Sequence, residues 1–210
     1  VDACYHNARE VIGKAYTVQE LVSEIQKDRP FYEQSGGGVT LSGGEVMTHI
    51  DFVEELVKAC RQQGISVAID TCGYAPWESF MRIIEDVDIF LYDVKCVDKE
   101  DHRKYIGKNN DLILENLKKL SDYGANINLR LPLIRGINTD DKHIEQVLDV
   151  ISNLTITSIN LLPYHNFAAG KYKKINMEYL SEIFSRPSDE RVAEIQSRFK
   201  EANYKIKIGG

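Results

Sequence analysis

The sequence lacks the spacings that would settle its class at once. Its four cysteines, Cys4, Cys60, Cys72 and Cys96, include no Cys-x-x-Cys pair, so no disulfide framework, zinc site or cluster can be read from spacing within the chain. No apolar run approaches the ~20 residues that cross a bilayer, and no basic-then-apolar leader opens the chain. The expectation is therefore no membrane association and a cytoplasmic location. A long Lys/Arg block is missing and the net charge is −6, which argues against nucleic acid as the main partner. There is no initiator Met and no low-complexity tract; Val-Asp-Ala-Cys as a beginning suggests a truncated N-terminus. What is present, 43% apolar and 28% charged residues in a chain of 210, suits one soluble α/β domain with a real core. That length is somewhat short for a full eight-stranded barrel.

The stretch Gly36 to Glu45, Gly-Gly-Gly-Val-Thr-Leu-Ser-Gly-Gly-Glu, organises the rest. It predicts a short apolar strand fenced by glycines, with a carboxylate where the strand stops. Glycine suits backbone that must turn with positive φ or approach a ligand closely. The event recurs at Ser66 to Asp70, Ile89 to Lys95, Asn126 to Arg130 and Ser158 to His165. Each is strand-like and ends on polar or charged residues. Parallel strands of a repeated βα chain all point one way, so Glu45, Asp70, Asp93 with Lys95, Arg130 and His165 are expected on one face, where βα barrels keep their chemistry. Asp93 and Lys95, two apart, would point to one side.

Helical periods separate these strands. Thr17 to Asp28 opens with a capping box, Thr17 to Glu20, and Pro30 lies just beyond it. Asp51 to Gln63 puts Cys60 on an apolar stripe, a core position, and Gly64 stops it. Pro76 to Glu85, Leu112 to Tyr123, a helix capped by Thr139 or Asp140, and Ser188 to Ala202 complete the set, followed by a terminal strand Tyr204 to Ile208. The polar and aromatic segment 166–187 is long for a loop and is a candidate substrate-facing segment. Five βα strands and a terminal one cannot close an eight-stranded barrel. The expected architecture is a partial, open βα barrel over residues 17–210, lacking an N-terminal strand.

Gly43-Gly44-Glu45, Asp70-Thr71-Cys72-Gly73-Tyr74, Asp93-Val94-Lys95, Arg130 with Gly136-Ile137-Asn138, and Leu162-Pro163-Tyr164-His165, in that order, resemble the activating enzymes of glycyl-radical enzymes. These form part of the radical S-adenosylmethionine superfamily. The resemblance implies that the Gly43-Gly44-Glu45 turn holds the methionine amino group of S-adenosylmethionine. Asp93, Val94 and Lys95 would meet its carboxylate end, His165 the nucleoside, and Arg130 would join the same pocket. Asp70, Thr71 and Asp93 match positions for a monovalent cation. A zwitterionic cofactor of this kind needs an acceptor, a cation and an apolar shelf converging from different strands.

The resemblance also implies a [4Fe-4S] cluster held by Cys-x3-Cys-x2-Cys, a motif absent here. One electron from the cluster would release a 5′-deoxyadenosyl radical, which takes hydrogen from a glycine of a partner glycyl-radical enzyme. A reduced flavodoxin or ferredoxin would be the electron donor. Without three thiolates the cluster cannot be anchored, so the chain as given is expected to lack the cluster loop and to be catalytically incomplete. Cys4 fits the last cysteine of a ferredoxin-type run, with Tyr5 where Pro is usual. Residues 1–16 then read as the remnant of a ferredoxin-like insert, or a linker, with auxiliary [4Fe-4S] clusters. Two alternatives stand beside this reading: a non-catalytic fragment that binds S-adenosylmethionine and a protein partner, and a βα-barrel lyase using Lys95 as a Schiff-base group. Cys72 and Cys96, near the same face, read as small packing residues.

Overall fold

In Ser66–Thr71 and Ile127–Leu133 aliphatic residues alternate with small or polar ones, and the two classes go to opposite faces of a sheet. In the computed structural model, which describes residues 13–165 and 184–209, this gives six parallel strands in sequential order: β1 Gly38–Leu41, β2 Ser66–Thr71, β3 Ile89–Asp93, β4 Ile127–Leu133, β5 Ser158–Pro163 and β6 Ile206–Ile208. One face presents Val67, Ile69, Phe90, Tyr92, Leu129, Leu131, Ile159 and Leu161, all buried under helices. The other is half-buried, the concave inside of an open barrel, and carries Asp70, Asp93, Asn128 and Arg130 beside Leu91.

The helices are α1 Val18–Gln26, α2 Arg29–Ser35, α3 Ile50–Gln62, α4 Trp77–Met81, α5 Lys99–Ile106, α6 Asp111–Tyr123, α7 Asp141–Ile151 and α8 Asp189–Glu201, with a 3₁₀ turn at Val46–His49. Their starts follow from sequence. Thr17 and Glu20 form the capping box of α1, Asp140 accepts from His143 N at the start of α7, and Ser188 accepts from Arg191 N before α8, each satisfying an otherwise orphaned helix-end amide.

Three expectations are corrected. Pro30 does not simply follow α1 but sits in the first turn of a second helix, α2, where its fixed φ and missing N–H are harmless. The helix expected over residues 76–85 ends at Met81; turns bonded to Phe80 O then carry Ile83 and Ile84 into the core. Burial of these two β-branched side chains outweighs continued helix. Helix α5 was not expected, because its sequence is polar nearly all round and buries only His102. Its legible marks are the ends: Asp98 caps it through the N–H groups of Glu100 and Asp101, and Gly107 closes it at φ 81°. The segment 166–187 lies outside the described residues up to 183, as do residues 1–12 with Cys4.

Candidate functional site

Register decides which side chains meet on the concave face. One rung runs Asp70, Leu91, Asn128, Ser158; the next, nearer the C-terminal strand ends, runs Asp93, Arg130, Asn160, Lys207. Arg130 therefore stands beside Asp93 and diagonally above Asp70. Its Nη1 lies 3.0 Å from Asp70 Oδ2 and its Nε 2.8 Å from Asp93 Oδ1. Asp70 Oδ2 also accepts from Ser42 Oγ, which follows β1, at 3.1 Å. Burial is the main influence on Asp93 and raises its carboxyl above the ordinary range; Arg130 is the chief opposing one. The 2.8 Å contact is ionic without alignment, so Asp93 Oδ1 and Arg130 Nε are both buried with no hydrogen-bond partner.

Sequence reasoning placed Asp93 and Lys95 on one side of a strand. The strand instead ends at Asp93, Arg130 is the ion-pair partner of Asp93, and Lys95 forms no ion pair with a described carboxylate. Its charge still acts on Asp93, Cys72 and Cys96, which puts it at the same end. Its carbonyl is fixed by Asn138, whose Nδ2 also donates to Pro132 O and whose Oδ1 accepts from Ile134 N. Val94 is buried, its N–H donating to Arg130 O. His165 follows β5 at this end as expected.

Glu45 closes the site on the β1 side. Its Oε1 accepts from Met47 N at 3.1 Å and Thr71 Oγ1 at 2.6 Å, and its Oε2 accepts from Cys72 N at 2.9 Å. These three donors fix the carboxylate, and the Cys72 thiol faces it as well. Gly43 and Gly44 have ordinary φ, and a Cβ added at either would meet no protein atom within 4 Å. The fold does not require glycine at these two positions, and space is left for a ligand to approach the backbone.

That open glycine edge, the fixed carboxylate of Glu45 and the charged group of Lys95 suit an amino acid with both its ammonium and its carboxylate bound, as the methionine moiety of S-adenosylmethionine would be. The described cysteines do not fit a [4Fe-4S] cluster. Cys60 is fully buried within α3. Burial, first among the causes, pushes the thiols of Cys72 and Cys96 up to about 11, and a cluster needs thiolates. Among the described residues no three His, Cys, Asp or Glu side chains could hold a metal ion. The Thr71 hydroxyl, expected beside a cation, is committed to Glu45 and to Gly73 N; only the Asp70 and Asp93 carboxylates face that space.

Sequence reasoning missed the buried Asn110 and Asn116, and quoted Asn138 only as part of a motif without giving it a role. Asn110, Asn116 and Asn138 are each at most 2% exposed, and their amides hold loop carbonyls beyond the strand ends. The signal for Asn116 was an amide on the apolar stripe formed by Ile113, Leu117 and Leu120.

Comparison with known proteins agrees with this geometry. The family model of the Radical SAM superfamily matches residues 3–151. The chain is 51% identical over 208 residues to the trans-4-hydroxy-L-proline dehydratase activating enzyme of Clostridioides difficile, covering 98% of this chain and 69% of that protein. It is 35% identical to the pyruvate formate-lyase 2-activating enzyme of Escherichia coli K12, over all of this chain and 72% of that one. A crystal structure of a domain of the pyruvate-formate lyase-activating enzyme of Bacteroides vulgatus superposes with a TM-score of 0.71 at 31% identity, over 83% of this chain and 99% of that domain.

Proposed function

Because the chain belongs to the radical SAM superfamily, and within it to the activating enzymes of glycyl-radical enzymes, we propose that its concave face binds S-adenosylmethionine for the installation of a glycyl radical on a partner enzyme. When bound, the cofactor and the family's [4Fe-4S] cluster would supply the radical chemistry that removes a hydrogen atom from the partner's glycine. This chain's own residues bind and orient. The Gly43-Gly44 edge and Glu45 receive the methionine ammonium, Lys95 receives the carboxylate, and His165 meets the nucleoside. Arg130 holds Asp70 and Asp93 in place beneath them. The single observation that carries the reading is the unfilled space over Gly43 and Gly44 beside a fixed carboxylate.

Asp70 and Asp93 are proposed to face a monovalent cation. Cys4 and residues 1–16 are proposed to belong to a ferredoxin-like insert with auxiliary clusters, and a reduced flavodoxin or ferredoxin to be the electron donor. No described helix is long and apolar enough to cross a membrane; the cytoplasm is the proposed location. A Schiff-base lyase on Lys95, or a module that only binds, is not favoured, since relatives matched over nearly the whole chain are activating enzymes. The test is titration calorimetry of the chain with S-adenosylmethionine, together with paramagnetic resonance of a glycyl-radical partner incubated anaerobically with the cluster-bearing protein. No heat of binding and no glycyl radical would refute the reading.

A further inference from the structure

The turn that fixes Glu45 is itself held from an unexpected direction. Glu45 depends on Thr71 and Cys72, and Thr71 Oγ1 accepts in turn from Gly73 N at 2.9 Å. Both carbonyls of the next stretch, Gly73 O and Ala75 O, accept from one donor, Asn116 Nδ2, at 2.8 Å each. Asn116 lies in α6, more than 40 residues away in sequence, and is completely buried. The same helix takes a hydrogen bond from the far side of the turn: Tyr92 Oη donates to Ile113 O at 2.7 Å, and Gly73, at φ 77°, passes so close to Tyr92 that a Cβ there would overlap the phenol oxygen. The turn is thus clamped between an amide and a phenol, both anchored on α6.

Packing alone does not explain Asn116. It occupies the helix face that buries Ile113, Leu117 and Leu120, where leucine would serve α6 better. Its Oδ1 has no hydrogen-bond partner, and an unsatisfied buried acceptor opposes folding. What the amide supplies and leucine cannot is two N–H groups directed at the turn.

We propose that Asn116 is a positioning residue for the S-adenosylmethionine site: by holding the Gly73 and Ala75 carbonyls it sets the Thr71 and Cys72 donors that orient Glu45. This rests on the reading of Glu45 as part of that site, and Asn116 itself touches no ligand.

The experiment compares the full chain with Asn116→Leu and, should leucine not fold, Asn116→Ala, using Leu117→Val as a packing control. Amide hydrogen exchange reads the clamp without any ligand. The Cys72 N–H, bonded to Glu45, should exchange at least about tenfold faster in the Asn116 variants while Ile69 in the β2 core keeps its protection; Leu117→Val should leave Cys72 unchanged. Calorimetry then reads the consequence. S-Adenosylmethionine should bind about tenfold more weakly to Asn116→Leu, and Glu45→Gln combined with Asn116→Leu should be no weaker than Glu45→Gln alone, because both act through one carboxylate. Unchanged Cys72 exchange overturns the clamp, and unchanged or additive affinities overturn its link to the site. If wild type binds and Glu45→Gln is neutral, the assignment of Glu45 fails while the exchange result still decides the clamp.

Discussion

Arg130 and Asp93 are register partners across the β3–β4 ladder, and their side chains meet at 2.8 Å with neither contacting atom in an aligned hydrogen bond. The attraction is therefore charge more than geometry, in a place that is about four-fifths shielded from water. Removing one partner of such a pair costs about 3 kcal/mol or more. Arg130→Met should lose that much in urea unfolding, and the loss should depend on pH. A carboxyl raised in the folded chain, as burial raises Asp93, favours the fold while protonated and ceases to as pH climbs through its folded value. Without Arg130 the carboxyl rises further, so the deficit should be small near about pH 4.5 and larger near about pH 7.5. Equal deficits at both would remove Asp93 as the cause.

Two glycines a short distance apart should behave in opposite ways. Gly44→Ala meets no protein atom within 4 Å and has ordinary φ, so stability should change by no more than about 0.5 kcal/mol, while affinity for S-adenosylmethionine falls at least about tenfold through lost approach to the backbone. Gly73→Ala would place a Cβ within 2.2 Å of the Tyr92 ring at positive φ and should cost at least about 2–3 kcal/mol. Tyr92→Phe should not rescue it, since the overlap includes the ring carbon. A ligand-neutral Gly44→Ala would take the glycine edge out of the site.

Lys95→Ala removes a charged donor that no described carboxylate occupies. A charged hydrogen bond is worth roughly 1.5–3 kcal/mol, so the Kd for S-adenosylmethionine should rise at least about tenfold, with the melting temperature little changed. An unaltered Kd would dismiss Lys95 from the site.

The strand ends were legible in the sequence because polar residues interrupt apolar alternation there; Asp70, Asp93 and Arg130 do lie on one face. Their pairing was not, since it depends on register between strands and on β3 stopping at Asp93, which leaves Lys95 beyond the ladder. The buried asparagines were illegible for a related reason. Asn116 looks like a flaw in an apolar stripe until its two carbonyl partners, over 40 residues earlier, are brought against it. Helix α5 escaped because its polar surface carries no period.

His143, in the first turn of α7, is lowered by burial against the raising influence of the Asp140, Asp101 and Asp98 carboxylates. An imidazole kept neutral by the fold lets the unfolded chain take up the proton first, so stability is lost as pH falls through the ordinary value of 6.5. His143→Gln should flatten that acid loss in denaturant titrations between about pH 7.5 and about pH 5; a wild-type slope in the variant would assign the loss elsewhere.

Residues 1–210, reconstituted anaerobically with iron and sulfide, should give no stoichiometric [4Fe-4S]⁺ resonance. Cys60 is sealed in α3, and Cys72 and Cys96 are held as neutral thiols after different strands. A full-intensity signal would mean that these thiols converge after all.

The strictly sequential strand order has a kinetic consequence. Every ladder joins strands consecutive in the chain, from Gly38 with Ser66 to Ile159 with Ile206, so each strand can pair with the one made just before it. Loop closures of this modest size carry a small entropic cost. The sheet can grow by accretion in the order of translation, β1 first and β6 last. The Asp93–Arg130 pair would then form as β4 docks, one strand before Asn160 and two before Lys207 join the rung.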